Sequence, residues 1–140
     1  MKTSGLFKGF SKTQCEWCDY KGASFLIAPS DTPKMKREIL NRFTLEQASM
    51  LEPSKGADSA KSLTGLSAGQ ALEKIYGAQA YALVHDWKDI EDDNGKAMTF
   101  DHGQVFEWMM DDDEFSTWIV DNANRISDKK NVKEAEITKN

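Results

Sequence analysis

The sequence predicts a mainly α-helical α+β domain, with about four helices, a short N-terminal β-hairpin and a tight turn near residues 91–96. Three observations carry this. Apolar residues recur at helical spacing in separate stretches. One early stretch, QCEWCDYKGASFLIA, places aromatic and branched residues on both sides of a glycine. Asn94-Gly95 lies between two apolar pairs. A chain of 140 residues suits one domain, and 39% hydrophobic residues with four tryptophans and seven phenylalanines are too apolar for a wholly disordered chain.

In chain order, residues 1–13 read as a flexible arm, since two glycines among Leu6, Phe7 and Phe10 weaken any helix there. Residues 14–127 form the predicted domain. Its hairpin spans 14–28 and turns at YKGA, where Gly22 can take positive φ. A first helix follows, with Thr32 as cap, Pro33 at the first helical position, and Met35, Ile39 and Phe43 at four-residue spacing. Residues 52–65, EPSKGADSAKSLTG, read as a mobile loop.

The central helix is expected from about Ser67 to Val84, with Leu72, Ile75, Tyr76, Gln79, Leu83 and Val84 in helical order. Trp87 and Ile90, then Met98 and Phe100, flank the turn EDDNGK and anchor it. Asp101 is placed to cap a third helix over about 102–110, with Gln104 completing a capping box and Phe100 stapling to Val105. The acids 111–114 suit the positive end of a fourth helix carrying Phe115, Trp118, Ile119 and Ile126. From Asp128 the alternating charges and isolated apolar residues read as a disordered tail.

Charge is concentrated. Residues 86–121 hold twelve acidic and two basic side chains, a segment that repels phosphate backbones, so nucleic acid is not an expected partner. No apolar run reaches the roughly 18 residues of a membrane span, and the first residues lack a signal-peptide core, so the expected setting is intracellular, without membrane contact. Cys15 and Cys18 are then expected as thiols.

The acidic turn invites a calcium reading, which fails by position. If Gly95 is the sixth residue of an EF-hand loop, Ile90 is the first, and its side chain cannot bind calcium; Asp101 would be the twelfth. Catalytic carboxylates need a cleft that shifts their pKa values, whereas acids beside an Asn-Gly turn are solvated. Cys15-x-x-Cys18 is incomplete as a zinc site, because two more ligands are needed and the histidines, His85 and His102, lie 17 apart; the strand pattern also sends the two cysteine side chains to opposite faces. His85 and His102 have no evident nucleophile beside them, and no GxSxG, Walker or GxGxxG motif occurs. The chain therefore reads as a non-enzyme without cofactor or metal. The set Trp108, Met109, Met110, Phe115 and Trp118 exceeds one helical stripe, and with its acidic rim it reads in part as an apolar partner surface.

Two blocks bear a resemblance. Trp17, Gly22, Phe25 and Ile27, followed by a proline and a basic helix, fit the pattern W…G..F.I. Trp87, Ile90, Asp92, Gly95, Lys96 and Phe100 fit W..I.DDNGK...F. Together they span about residues 15–126, and the chain resembles the tail assembly chaperones of long-tailed phages. It departs from them in lacking a proline after the turn and in its cysteines. The resemblance implies a protein that binds the tape measure protein in the host cytoplasm, keeps it soluble, promotes polymerisation of tail tube protein around it, and is absent from the finished virion. It also leaves room for homo-oligomers and for a frameshifted longer form diverging within the tail. The alternatives are a structural virion component, such as a head-tail connector or tail completion protein, and a zinc-stabilised adaptor.

Overall fold

The computed structural model describes residues 14–51 and 65–138, with side chains described as far as 129. The expected arm at 1–13 and all but the last residue of the expected loop at 52–65 lie outside the described residues. Strands β1 (Glu16–Tyr20) and β2 (Ala23–Ile27) pair antiparallel. They are joined by Lys21 and Gly22 at φ 49° and 89°. Positive φ at both central residues gives the turn the twist that a two-residue hairpin needs.

Among the described residues the helices are α1 (Pro33–Arg42), α2 (Leu45–Met50), α3 (Ala68–Leu83), α4 (His102–Asp111) and α5 (Asp113–Thr138). A third strand, β3 (Val84–Lys88), completes an antiparallel sheet in the order β1-β2-β3. The mainly helical α+β class and the hairpin are thus present, and β3 and α2 are additions to the expected elements. Where one first helix was expected from Pro33 onward, the backbone leaves α1 at Phe43, and Thr44 starts α2 with a capping box: its hydroxyl accepts from Gln47 N at 3.1 Å and Gln47 Oε1 accepts from Thr44 N at 3.0 Å.

Helix α3 is the centre of the molecule. Its second half is buried on nearly every side, with Ile75, Ala78, Gln79, Ala80 and Ala82 fully covered. The alanines let α1 and α4 approach closely. Gly77 gives the Arg42 side chain room: a Cβ there would lie 3.0 Å from its Nε. Arg42 in turn pairs with Glu38 and lies over the Tyr81 ring. At its end α3 becomes β3 without a connector. The Leu83 carbonyl, which the helix leaves unpaired, accepts from Ala28 N at 2.8 Å, so the sheet ladder begins on the last helical residue.

Strand β3 carries a bulge. Leu26 pairs with Asp86 and Ile27 with Val84, so His85 is the extra residue. Helix α4 starts where expected, but its capping box does not close: Asp101 Oδ1 accepts from Gly103 N at 3.0 Å, and the Gln104 backbone N bonds the Asp101 carbonyl instead. Asp112 caps α5 through Glu114 N and Phe115 N. Helix α5 then continues to Thr138, past residue 127 where the ordered domain was expected to end; no glycine or proline interrupts that stretch. It is tied to the hairpin by Arg125–Glu16 at 2.9 Å and to the link before α1 by Ser127 Oγ donating to Asp31 Oδ1 at 2.5 Å.

Candidate functional site

The acidic turn resolves as backbone architecture. Asp92 Oδ1 accepts from Asn94 N at 2.9 Å and from Lys96 N at 3.0 Å, and Asp92 N donates to the Lys96 carbonyl at 2.8 Å. Gly95 sits at φ 79°, the left-handed conformation that the Asn-Gly dipeptide supplies. Glu91 bridges Ala97, and Met98 N donates to the Ile90 carbonyl. Trp87 Nε1 donates to the Met98 carbonyl at 2.8 Å, and the Trp87 ring meets Phe100 edge-on at 5.0 Å. The Asp92 carboxylate is committed to holding the loop closed.

The aromatic and methionine set divides. Met109 is fully buried and Phe115 is 3% exposed, so both belong to the core. Trp108, Met110 and Trp118 are half-buried and packed against that core. The reason lies in the hairpin. Tyr20 lies 5.2 Å from Phe115 and 4.9 Å from Trp118, and Phe25 lies 5.2 Å from Phe115. Trp108 meets Trp87 at 5.2 Å. The surplus rings thus form one seam joining the sheet to α4 and α5. What remains open beside them is a cavity of about 200 Å³ among Tyr20, Ala23, Phe25, Trp108 and Phe115, edged by Asp111 and Asp112.

The larger apolar opening lies elsewhere, between α1 and α2. A groove of about 500 Å³ is floored by the buried Met35, Ile39 and Leu51, and Leu40 and Leu45 stand at its sides. Leu45 is 79% exposed, and at the other end of α2 Met50, which does not line the groove, is 55% exposed. The break at Phe43–Thr44 creates the groove. A continuous helix would have stacked Leu40, Phe43 and Gln47 on one face, whereas the kink folds α2 back and leaves an apolar trough with Lys36 and Asp31 on its rim. The signal that could have found it is Thr-x-x-Gln at 44–47, a capping-box signature inside an apparently continuous apolar pattern.

The histidines also differ from expectation. His102 stacks on Tyr81 at 4.8 Å and meets Phe100 edge-on at 4.7 Å; burial, with Lys34 adding to it, holds its pKa below the ordinary value. His85 has a thiol beside it: Cys15 Sγ lies 3.8 Å from its Nδ1, a pair 70 residues apart in the chain. Cys18 points to the other side of the hairpin, 8% exposed and near Arg125, and burial pushes its thiol up. Among the described residues no three His, Cys, Asp or Glu side chains gather as metal ligands, and no helix is long and apolar enough to cross a membrane.

Fold and surface define a small α+β domain with an acidic second half and an exposed apolar groove. The chain belongs to the YdaY prophage protein family, whose model matches residues 40–140. The match takes in everything from the end of α1 onward, and the β1–β2 hairpin precedes it. No curated protein and no solved structure matches the chain. The family places the chain among phage proteins at the level of origin and assigns no role in tail assembly.

Proposed function

We propose that this prophage protein is a tail assembly chaperone that binds the tape measure protein, keeps its apolar helices from aggregating and promotes polymerisation of tail tube protein around it. It would act in the host cytoplasm, without catalysis, and leave before the virion is complete. The observation that carries the reading is the α1–α2 groove, where Leu40 and Leu45 stay in water beside an apolar floor.

An amphipathic helix laid in such a trough buries those side chains, each contributing roughly 1.5–3 kcal/mol when fully covered. The gain is available only while the partner helix is unassembled, which suits transient binding. Lys36 at the groove and Lys34 and Arg37 elsewhere on α1 favour a helix with acidic flanks.

The test is co-expression with the tape measure protein of the same prophage. The expected result is that the tape measure protein becomes soluble and co-purifies with this chain. Leu45→Asp, at a position too exposed to matter for folding, is expected to abolish co-purification while changing stability by less than about 0.5 kcal/mol. If the chain is instead retained in purified virions and forms no such complex, it is a structural component and the chaperone reading is wrong.

A further inference from the structure

The bulge in β3 has a chemical consequence. A bulge re-aims the extra side chain relative to its neighbours. Here the extra residue is His85, and its ring reaches past the end of β2 to Cys15, just before β1. The same ring is fixed on its other edge: Nε2 lies 3.1 Å from the Ala82 carbonyl oxygen. A carbonyl can only accept, so Nε2 carries the hydrogen and the neutral ring presents the Nδ1 lone pair to the thiol. An imidazole held in this tautomer against a thiol is the arrangement that draws off the S–H proton and leaves a thiolate.

We propose that Cys15 and His85 form an activated thiol–imidazole pair, and that Cys15 is a site of mixed-disulfide formation with low-molecular-weight disulfides. The Cys15 proton passes to Nδ1 as Sγ attacks one sulfur of the disulfide. The new bond from Cys15 to that sulfur forms and the original S–S bond breaks. The departing thiolate leaves with the electron pair and takes up the proton. Cys15 is oxidised and the small disulfide is reduced.

Cys18 does not compete in either role. It is buried, it donates to the Glu16 carbonyl at 3.7 Å, and it lies on the opposite face of the hairpin. Three residues of extended chain separate the two Cα atoms by about 10 Å, beyond the roughly 7 Å that a disulfide can bridge. Oxidation therefore takes Cys15 outward to an external thiol instead of inward to its neighbour. The inference is independent of the groove and of any tape measure partner.

The test treats the full chain with glutathione disulfide at pH 6.5 and maps the adduct by peptide mass. At that pH a thiol of pKa about 8.5 is about 1% thiolate. Modification at Cys15 is expected at least roughly tenfold faster than in a short peptide carrying the same cysteine. Cys15→Ser should abolish the adduct and Cys18→Ser should leave it. His85→Gln should slow the reaction roughly tenfold at pH 6.5 but not above about pH 9, where the thiolate forms without a base; a merely structural role would not produce that pH dependence. Should His85→Gln fail to fold, the wild-type pH–rate profile decides against the peptide's. Modification at Cys18, an unchanged rate in His85→Gln at pH 6.5, or a wild-type profile matching the peptide would each overturn the proposal.

Discussion

If EDDNGK is a structural turn clamped by Trp87, replacing that side chain with phenylalanine should cost stability in a calculable way. Trp87 is 6% exposed, donates to the Met98 carbonyl at 2.8 Å and packs against Phe25, Phe100 and Trp108. Phenylalanine keeps a ring in the same place but loses the indole N–H and the second ring. The lost hydrogen bond contributes about 1 kcal/mol, at the lower end of the range because half-buried Met98 lets water reach its carbonyl. The space left by the smaller ring adds about 1–2 kcal/mol. The total is about 2–3 kcal/mol, which at a urea slope of about 2 kcal/mol per M lowers the midpoint by roughly 1–1.5 M. The assay is urea unfolding followed by far-UV circular dichroism, since tryptophan fluorescence itself changes in the variant. A midpoint within about 0.3 M of wild type, at unchanged slope, would refute the idea that Trp87 holds the turn.

Within the same loop, Asp92→Ala should cost about 1–2 kcal/mol by leaving Asn94 N and Lys96 N without their acceptor, whereas the exposed neighbour Asp93→Ala should cost less than about 0.5 kcal/mol in the same urea assay. Gly95→Ala should cost about 1 kcal/mol, read as a lower midpoint; the cost is conformational, because φ is 79° and the nearest neighbour of an added Cβ lies 4.0 Å away. For His102 the folded pKa lies below the unfolded value of about 6.5. Above that pH both states are neutral; as pH falls through it the unfolded chain takes the proton first, so the urea midpoint should drop between pH 7.5 and pH 5.5. His102→Gln should flatten that drop, and an equally steep decline in the variant would exclude His102 as its source.

The parts of the fold legible in the sequence were those whose signals are local. Thr32-Pro33 marks the start of α1, and Thr32 Oγ1 does accept from Met35 N at 3.3 Å. Gly22 and Asn94-Gly95 mark the two turns, both with the positive φ they supply. Strand β3 was not legible because its bulge puts Val84 and Trp87 three residues apart on the buried side; that spacing continues the helical rhythm of Leu83 and hides the period of two. Helix α2 was hidden in the same way, with Phe43, Gln47 and Leu51 continuing the four-residue step of α1.

The surface was harder still. Surplus rings on α4 and α5 looked exposed because the sequence does not show that Tyr20 and Phe25 cover them from the hairpin. The groove arises from a kink, and the Cys15–His85 contact from a bulge, each a tertiary result of residues that are individually ordinary.

The direct passage from Leu83 to Val84 fixes the phase between a rotating and a flipping element. One residue added or removed there turns the side chains of α3 by about 100°, or else exchanges the two faces of β3, and no linker exists to absorb either. The joint behaves like two gears keyed to one shaft: α1 and α4 mesh with the helix, β2 with the strand, and neither side can slip alone. Relatives of this chain should therefore vary in length elsewhere, and one with a gap between the positions of residues 83 and 84 would have to assemble its sheet in another register.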